Sequence, residues 1–151
     1  MTFNANGGTP TYTYDAIPGQ TITTPLAPTR EGYAFNGWNP AVDERLPNAN
    51  TTYSAQWLAF SYAVSYNGNG ADTGTMPNSA HDYGVEKNLS LNGYSKTGYA
   101  FSGWATSAGG NVAYSDGQGV INLTNQNGGV VVLYAVWVPI TYSILYSGNG
   151  S

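Results

Sequence analysis

Gly32-Tyr33-Ala34-Phe35-Asn36-Gly37-Trp38 reappears as Gly98-Tyr99-Ala100-Phe101-Ser102-Gly103-Trp104, 66 residues further on. Outward from this pair, other landmarks recur in the same order. Phe3-Asn4-Ala5-Asn6-Gly7 returns as Tyr66-Asn67-Gly68-Asn69-Gly70 and again as Tyr146-Ser147-Gly148-Asn149-Gly150, and Ala55-Gln56-Trp57 returns as Ala135-Val136-Trp137. A fixed order of landmarks met twice is the mark of a tandem array, not of one continuous domain. The repeats divide the chain into unit one (residues 1–59), unit two (60–138) and the first strand of a third unit (139–151). Arrays of this kind build length, spacing or a repeated surface more readily than a single catalytic pocket.

The local pattern within each unit is that of strands. Tyr62, Val64 and Tyr66 alternate with Ala63 and Ser65, the period of a half-buried strand. Asn6-Gly7 and Asn67-Gly68-Asn69-Gly70 follow, residues that accept the positive φ of tight turns. Thr21-Ile22-Thr23 and Leu89-Ser90-Leu91 read as short strands, the first confined to an edge by Pro25 and Pro28. The Tyr-x-Phe-x-Gly-Trp stretch reads as a strand ending in a bulge or turn, and each unit closes on a strand ending in Trp57 or Trp137. Helix signal is thin: the best window is Pro40–Leu46, one or two turns opened by a proline. Unit two carries 14 extra residues between its two tryptophans, at about 105–130. This stretch is rich in Gly, Asn and Ser and is expected as an added hairpin or loop at an exposed edge where partner contacts would concentrate.

Composition narrows the function classes. Charged residues make up 8% of the chain, about a third of the usual share, and the net charge of −4 is spread without runs. No basic stripe is present, which argues against nucleic acid. The 13 Tyr and 4 Trp argue against disorder. No apolar run reaches the roughly 20 residues of a membrane-spanning helix, so membrane insertion is not expected. The absence of cysteine removes disulfides and thiolate sites. Met1 is followed at once by polar residues without a signal-peptide pattern, and Thr2-Phe3 reads as the end of a strand whose start is missing; a fragment is expected.

Candidate chemistry is sparse. Tyr33, Phe35, Trp38, Tyr99, Phe101 and Trp104 have the makings of a sugar-stacking platform, but their repetition beside Trp57 and Trp137 favours a structural core built from large aromatics. Ser79, the single His81 and Asp82 are triad residue types, yet sequence neighbours do not form a triad by themselves. Asn67–Asp72 and Asp116–Gly119 offer oxygens in Gly-rich loops but lack the several carboxylates that calcium requires. Lys87 and Lys96 invite the thought of isopeptide bonds, but unit one has no lysine. Three glycosylation sequons, at Asn50, Asn88 and Asn122, fit chance in a chain so rich in Asn, Ser and Thr. No catalytic, cofactor-binding or metal-binding residue is assigned, and no cofactor is expected.

The ordered landmarks resemble the Listeria–Bacteroides repeat family, which includes the B-repeat of internalin-type surface proteins. Asn6-Gly7-Gly8, Arg30-Glu31-Gly32-Tyr33-Ala34-Phe35-Asn36-Gly37-Trp38 and Ala55-Gln56-Trp57 carry the resemblance in unit one. Unit two departs from it: Lys96 replaces the Arg, Val136 the Gln, and the insertion is foreign to the pattern. The resemblance implies a mainly β fold of small β-grasp-like units with little helix, strung along bacterial cell-surface or secreted proteins and without catalytic residues. The expectation is therefore a non-enzymatic stalk, spacer or adhesive element whose partners are other copies of itself, a host or cell-surface protein, or a glycan. A self-assembling extracellular fibre subunit is the alternative, and a carbohydrate-binding module a weaker one. For the fibre, Ile140, Tyr142, Ile144 and Tyr146 are the candidate inter-chain strand: a spare apolar strand is a template for pairing with another chain.

Overall fold

The computed structural model describes residues 1–146 and 148. It is all β, with no helix among the described residues. The strands are β1 (Thr2–Asn4), β2 (Tyr12–Thr13), β3 (Tyr33–Asn39), β4 (Thr52–Ala59), β5 (Ser61–Asn67), β6 (Ser79–Asp82), β7 (Lys87–Asn88), β8 (Tyr99–Ala105), β9 (Gly119–Val120) and β10 (Val130–Pro139). Two four-stranded sheets repeat one plan, β2-β1-β4-β3 and β6-β5-β10-β8, beside a small β7-β9 pair. The opening strand lies parallel to the closing strand, β1 on β4 and β5 on β10. The aromatic strand then runs antiparallel on the other side of the closing strand, β3 on β4 and β8 on β10.

Alternation sets the faces. In β5, Tyr62, Val64 and Tyr66 are buried; in β4, Tyr53 and Ala55 are buried, and in β10 Leu133 and Ala135. The Tyr-x-Phe-x-Gly-Trp stretch does not end its strand as expected. The strand continues to Asn39 and to Ala105, and the bulge sits inside it, as a register shift between Phe35 and Trp38 and between Val136 and Trp137. Gly37 (φ +91°) and Gly103 (φ +143°) supply the backbone that the bulge needs.

Pro40–Leu46 is not helical. The amide of Leu46 donates to the Gln20 carbonyl at 2.8 Å and that of Ile22 to the Glu44 carbonyl at 3.1 Å, so pairing with residues 20–22 of the same chain takes groups that a helix would have used internally. The expected strand at Leu89-Ser90-Leu91 falls earlier, at β7, where Lys87 and Asn88 pair with Val120 and Gly119; Leu91 is exposed. The Thr21–Arg45 bridge is its counterpart in the first repeat.

By contacts the chain forms two compact units. The first comprises Met1–Tyr62 with Ala80–Glu86 and Ile121–Gly129; the second comprises Ala63–Ser79, Lys87–Val120 and the chain from Val130. The first thus gathers two short segments drawn from the sequence of the second repeat. Beyond Pro139, residues 140–146 belong to no strand. Of the third turn sequence at 146–150, Ser147, Asn149 and Gly150 lie outside the described residues.

Candidate functional site

The recurring side chains build the same scaffold twice, almost bond for bond. Asn6 and Asn69 both adopt φ +48°. Each amide is held by the side-chain oxygen two residues back, Asn4 or Asn67, at 2.8 Å. Each Nδ2 donates to the closing strand, Asn6 to Ala55 O at 3.0 Å and Asn69 to Ala135 O at 2.9 Å. The closing tryptophan indole donates back to the turn: Trp57 to Ala5 O at 3.0 Å, Trp137 to Gly68 O at 2.9 Å. The turn sequence predicts the positive φ of these asparagines but not their strand-bridging role. The signal was the reappearance of Asn at the same place in every copy.

Six of the eight expected core aromatics come together, three in each unit, while Tyr33 and Tyr99 lie outside these clusters and Tyr99 is exposed rather than core. Phe35 packs edge-on against Trp38 (5.2 Å) and Trp57 (5.8 Å), and Phe101 against Trp104 (4.9 Å) and Trp137 (5.7 Å). The opening strand completes each cluster, with Phe3 on Trp38 and Tyr66 on Trp104. Trp104 is fully buried; Trp38, Trp57, Phe35, Phe101, Trp137 and Tyr33 are half-buried; Tyr99 is 38% exposed. Trp104 lies deeper because the insertion folds back on it: its amide donates to Tyr114 O at 2.8 Å, and its carbonyl accepts from Ala113 and Tyr114. The insertion is therefore not edge decoration throughout, and Ala105 and Val120 within it are buried.

A cation rests on the ring that opens each aromatic strand, Arg30 over Tyr33 at 4.1 Å and Lys96 over Tyr99 at 4.7 Å. From there the units differ. In the first, the Tyr83 ring meets Tyr33 edge-on at 5.7 Å. A Cβ on Gly32 would overlap the Tyr83 ring, and one on Gly84 would overlap the Tyr33 hydroxyl. In the second, the space beside Gly98 is open. There Lys96, Tyr99 and Trp137 line a cleft of about 240 Å³ whose rim is Ala108-Gly109-Gly110.

The other candidates resolve into structural roles. His81 is buried and stacked on Tyr62 at 5.4 Å, while the Ser79 hydroxyl pairs with the Tyr66 hydroxyl at 2.9 Å. The oxygens of the Gly-rich loops cap backbone amides: Asp72 takes Thr97 N–H at 2.7 Å, Asp116 takes Asn92 N–H and Gln118 takes Ser115 N–H, both at 2.8 Å. The Thr97 hydrogen bonds, above all from its backbone, hold Asp72 below the usual carboxylate range. Burial, and secondarily the Asp43 carboxylate, push the Tyr53 hydroxyl up. Among the described residues no three His, Cys, Asp or Glu side chains gather as a metal site would require, and no helix is long and apolar enough to cross a membrane. Ile140, Tyr142, Ile144 and Tyr146 are 57%, 83%, 64% and 88% exposed.

Comparison with known proteins finds the model of the Listeria–Bacteroides repeat domain at residues 1–56 and again at 62–136. A protein of Evansella cellulosilytica named "Putative membrane protein" is 35% identical over 118 residues, 70% of this chain and 18% of its own. A second from the same organism, "Putative Gly-rich membrane protein", is 28% identical over 163 aligned positions, 99% of this chain and 17% of its own. The chain thus spans less than a fifth of the length of these relatives. No solved structure matches it.

Proposed function

We propose, because the chain belongs to the Listeria–Bacteroides repeat family, that it is a non-enzymatic segment of a bacterial cell-surface or secreted protein, where its units serve as stalk or spacer and present adhesive loops. One observation carries this reading: each unit hands the chain on in the same way. The amide leaving the first closing strand, Phe60, donates to Gly32 O at 2.8 Å, and the amide leaving the second, Ile140, donates to Gly98 O at 2.9 Å. A common exit lets a following unit start from an equivalent place, which is what extension by repetition requires. The repeats are small and β-grasp-like in the order of their strands, without the helix. Antibodies raised against the chain are expected to label intact cells of the bacterium that makes it. Labelling that appears only after lysis would overturn the surface location.

A second reading is assembly by strand addition. It is favoured by the row of exposed apolar side chains at Ile140, Tyr142, Ile144 and Tyr146, on a segment that belongs to no strand. Sedimentation would show mass rising with concentration, and Ile144→Lys would abolish the rise without lowering thermal stability, since Ile144 is exposed in the single chain. A monomer at every concentration would remove this reading.

A further inference from the structure

We propose that the cleft of the second unit, floored by Tyr99 and Trp137 and rimmed by Ala108-Gly109-Gly110, binds a sugar ring that carries a carboxylate. This deepens the adhesive reading, since it gives the array a ligand class, but it is measured in solution and stands or falls apart from where the protein resides.

The argument begins with shape. The cleft, at about 240 Å³, is smaller than the roughly 300–1,000 Å³ typical of drug-sized ligands and suits a single ring. Its walls are held before any ligand arrives. The Trp137 indole is anchored to Gly68 O, the Tyr99 amide to Lys96 O at 3.1 Å, and the rim by Asn69 Nδ2 on Ala108 O at 2.8 Å and Gly110 N–H on Ser107 O at 3.1 Å. A prepared cleft loses little entropy on binding. The chemistry follows from an exposed Tyr99, a half-buried Trp137 and one ammonium. The C–H face of a pyranose is apolar and packs on aromatic rings, which explains the floor. Lys96 is one of only four cationic side chains in a chain of net charge −4, and its ammonium sits at the cleft on the Tyr99 ring. An anionic substituent on the sugar would gain a charge-assisted hydrogen bond there. Asp72 is a carboxylate within electrostatic reach of Lys96, and it also accepts the Thr97 amide. The first unit serves as an internal control: its equivalent ring, Tyr33, carries Arg30 on its face but is half-buried, met edge-on by Tyr83 and packed against Gly84. The insertion that supplies the rim has no counterpart there.

The test is a titration of the whole chain with a glucuronate-terminated disaccharide and, in parallel, with its neutral glucose-terminated analogue, followed by amide and indole NMR shifts. A dissociation constant of about 1 mM is expected for the acidic sugar, as suits a small single-ring contact of about −4 kcal/mol. Shifts should fall at Gly109, Gly110, Tyr99 and the Trp137 indole, and not at Tyr33 or Trp57. Lys96→Gln should remove the preference for the acid, and Tyr99→Ala should weaken binding at least tenfold. Gly109→Leu adds bulk at a rim position that faces open space, so it should block the cleft while leaving the fold intact even if Tyr99→Ala unfolds. Shifts absent from residues 108–110, equal shifts around Tyr33, or equal affinity for the neutral sugar would each overturn the proposal.

Discussion

Tyr33 and Tyr99 occupy the same place in the same motif, each with a cation on its ring, yet one is half-buried against Tyr83 and the other is exposed beside a cleft. The first unit draws residues 80–86 onto its aromatic strand; the second leaves that face to solvent and raises the rim of its insertion beside it. The lesson is that a repeat preserves a scaffold but not a surface. The bonds shared by both units — Asn to closing strand, indole to turn, aromatic to aromatic — close the sheet. What lies outside them is free to become an internal contact in one unit and a cleft in the other.

The largest expected difference between the two units lies in their cores. Trp104 is fully buried and pinned by the insertion, whereas Trp38 is half-buried. Trp104→Ala should cost about 3–5 kcal/mol and Trp38→Ala less. Chemical denaturation would show this, and equal losses would mean that the insertion adds nothing to the second core. The glycines come next. Gly32 and Gly98 share a positive φ of 75° and 77°, so Ala at either meets the same backbone strain of about 1–2 kcal/mol. Only at Gly32 does the new methyl also overlap Tyr83. Gly32→Ala should therefore lower the melting temperature more than Gly98→Ala; equal shifts would show that Tyr83 moves aside at no cost.

Smaller effects test the titrating groups. The Tyr53 hydroxyl is buried with no hydrogen-bond partner, so Tyr53→Phe should be neutral or stabilising by less than about 1 kcal/mol. Its pKa is raised in the folded chain, which means the unfolded chain loses that proton first. This contribution is complete below pH 10 and is lost as pH rises through the folded value, and Tyr53→Phe should flatten the alkaline fall in stability. The least effect belongs to Asp72, which is exposed. Its lowered pKa gives a contribution present above the ordinary carboxylate range and lost only as pH falls through the folded value. An NMR titration should find Asp72 below its ordinary value; Thr97→Pro, which removes the donating amide, should bring it back up.

Much of the fold was legible in the residues. Strict alternation at Tyr62, Val64 and Tyr66 assigns the buried face, because successive side chains of a strand point to opposite sides. Asn6 and Asn69, recurring before glycine, mark turns because they tolerate positive φ. Residues 40–46 carry an ambiguous signal, because a proline followed by mixed polar and apolar residues fits the start of a helix as well as an irregular edge. Pairing with residues 20–22 settled the matter.

The recurring landmarks, their order along the chain, the mainly β class and the positive-φ turns could be read from the residues alone, since each is written in local period or in repetition. Long-range packing alone sets Tyr83 edge-on to Tyr33, pairs Ala113 and Tyr114 back on Trp104, and places Tyr99 at a cleft. Those are contacts between unlike segments, each occurring once, and a contact that neither repeats nor follows a backbone period leaves no mark in a single chain of residues.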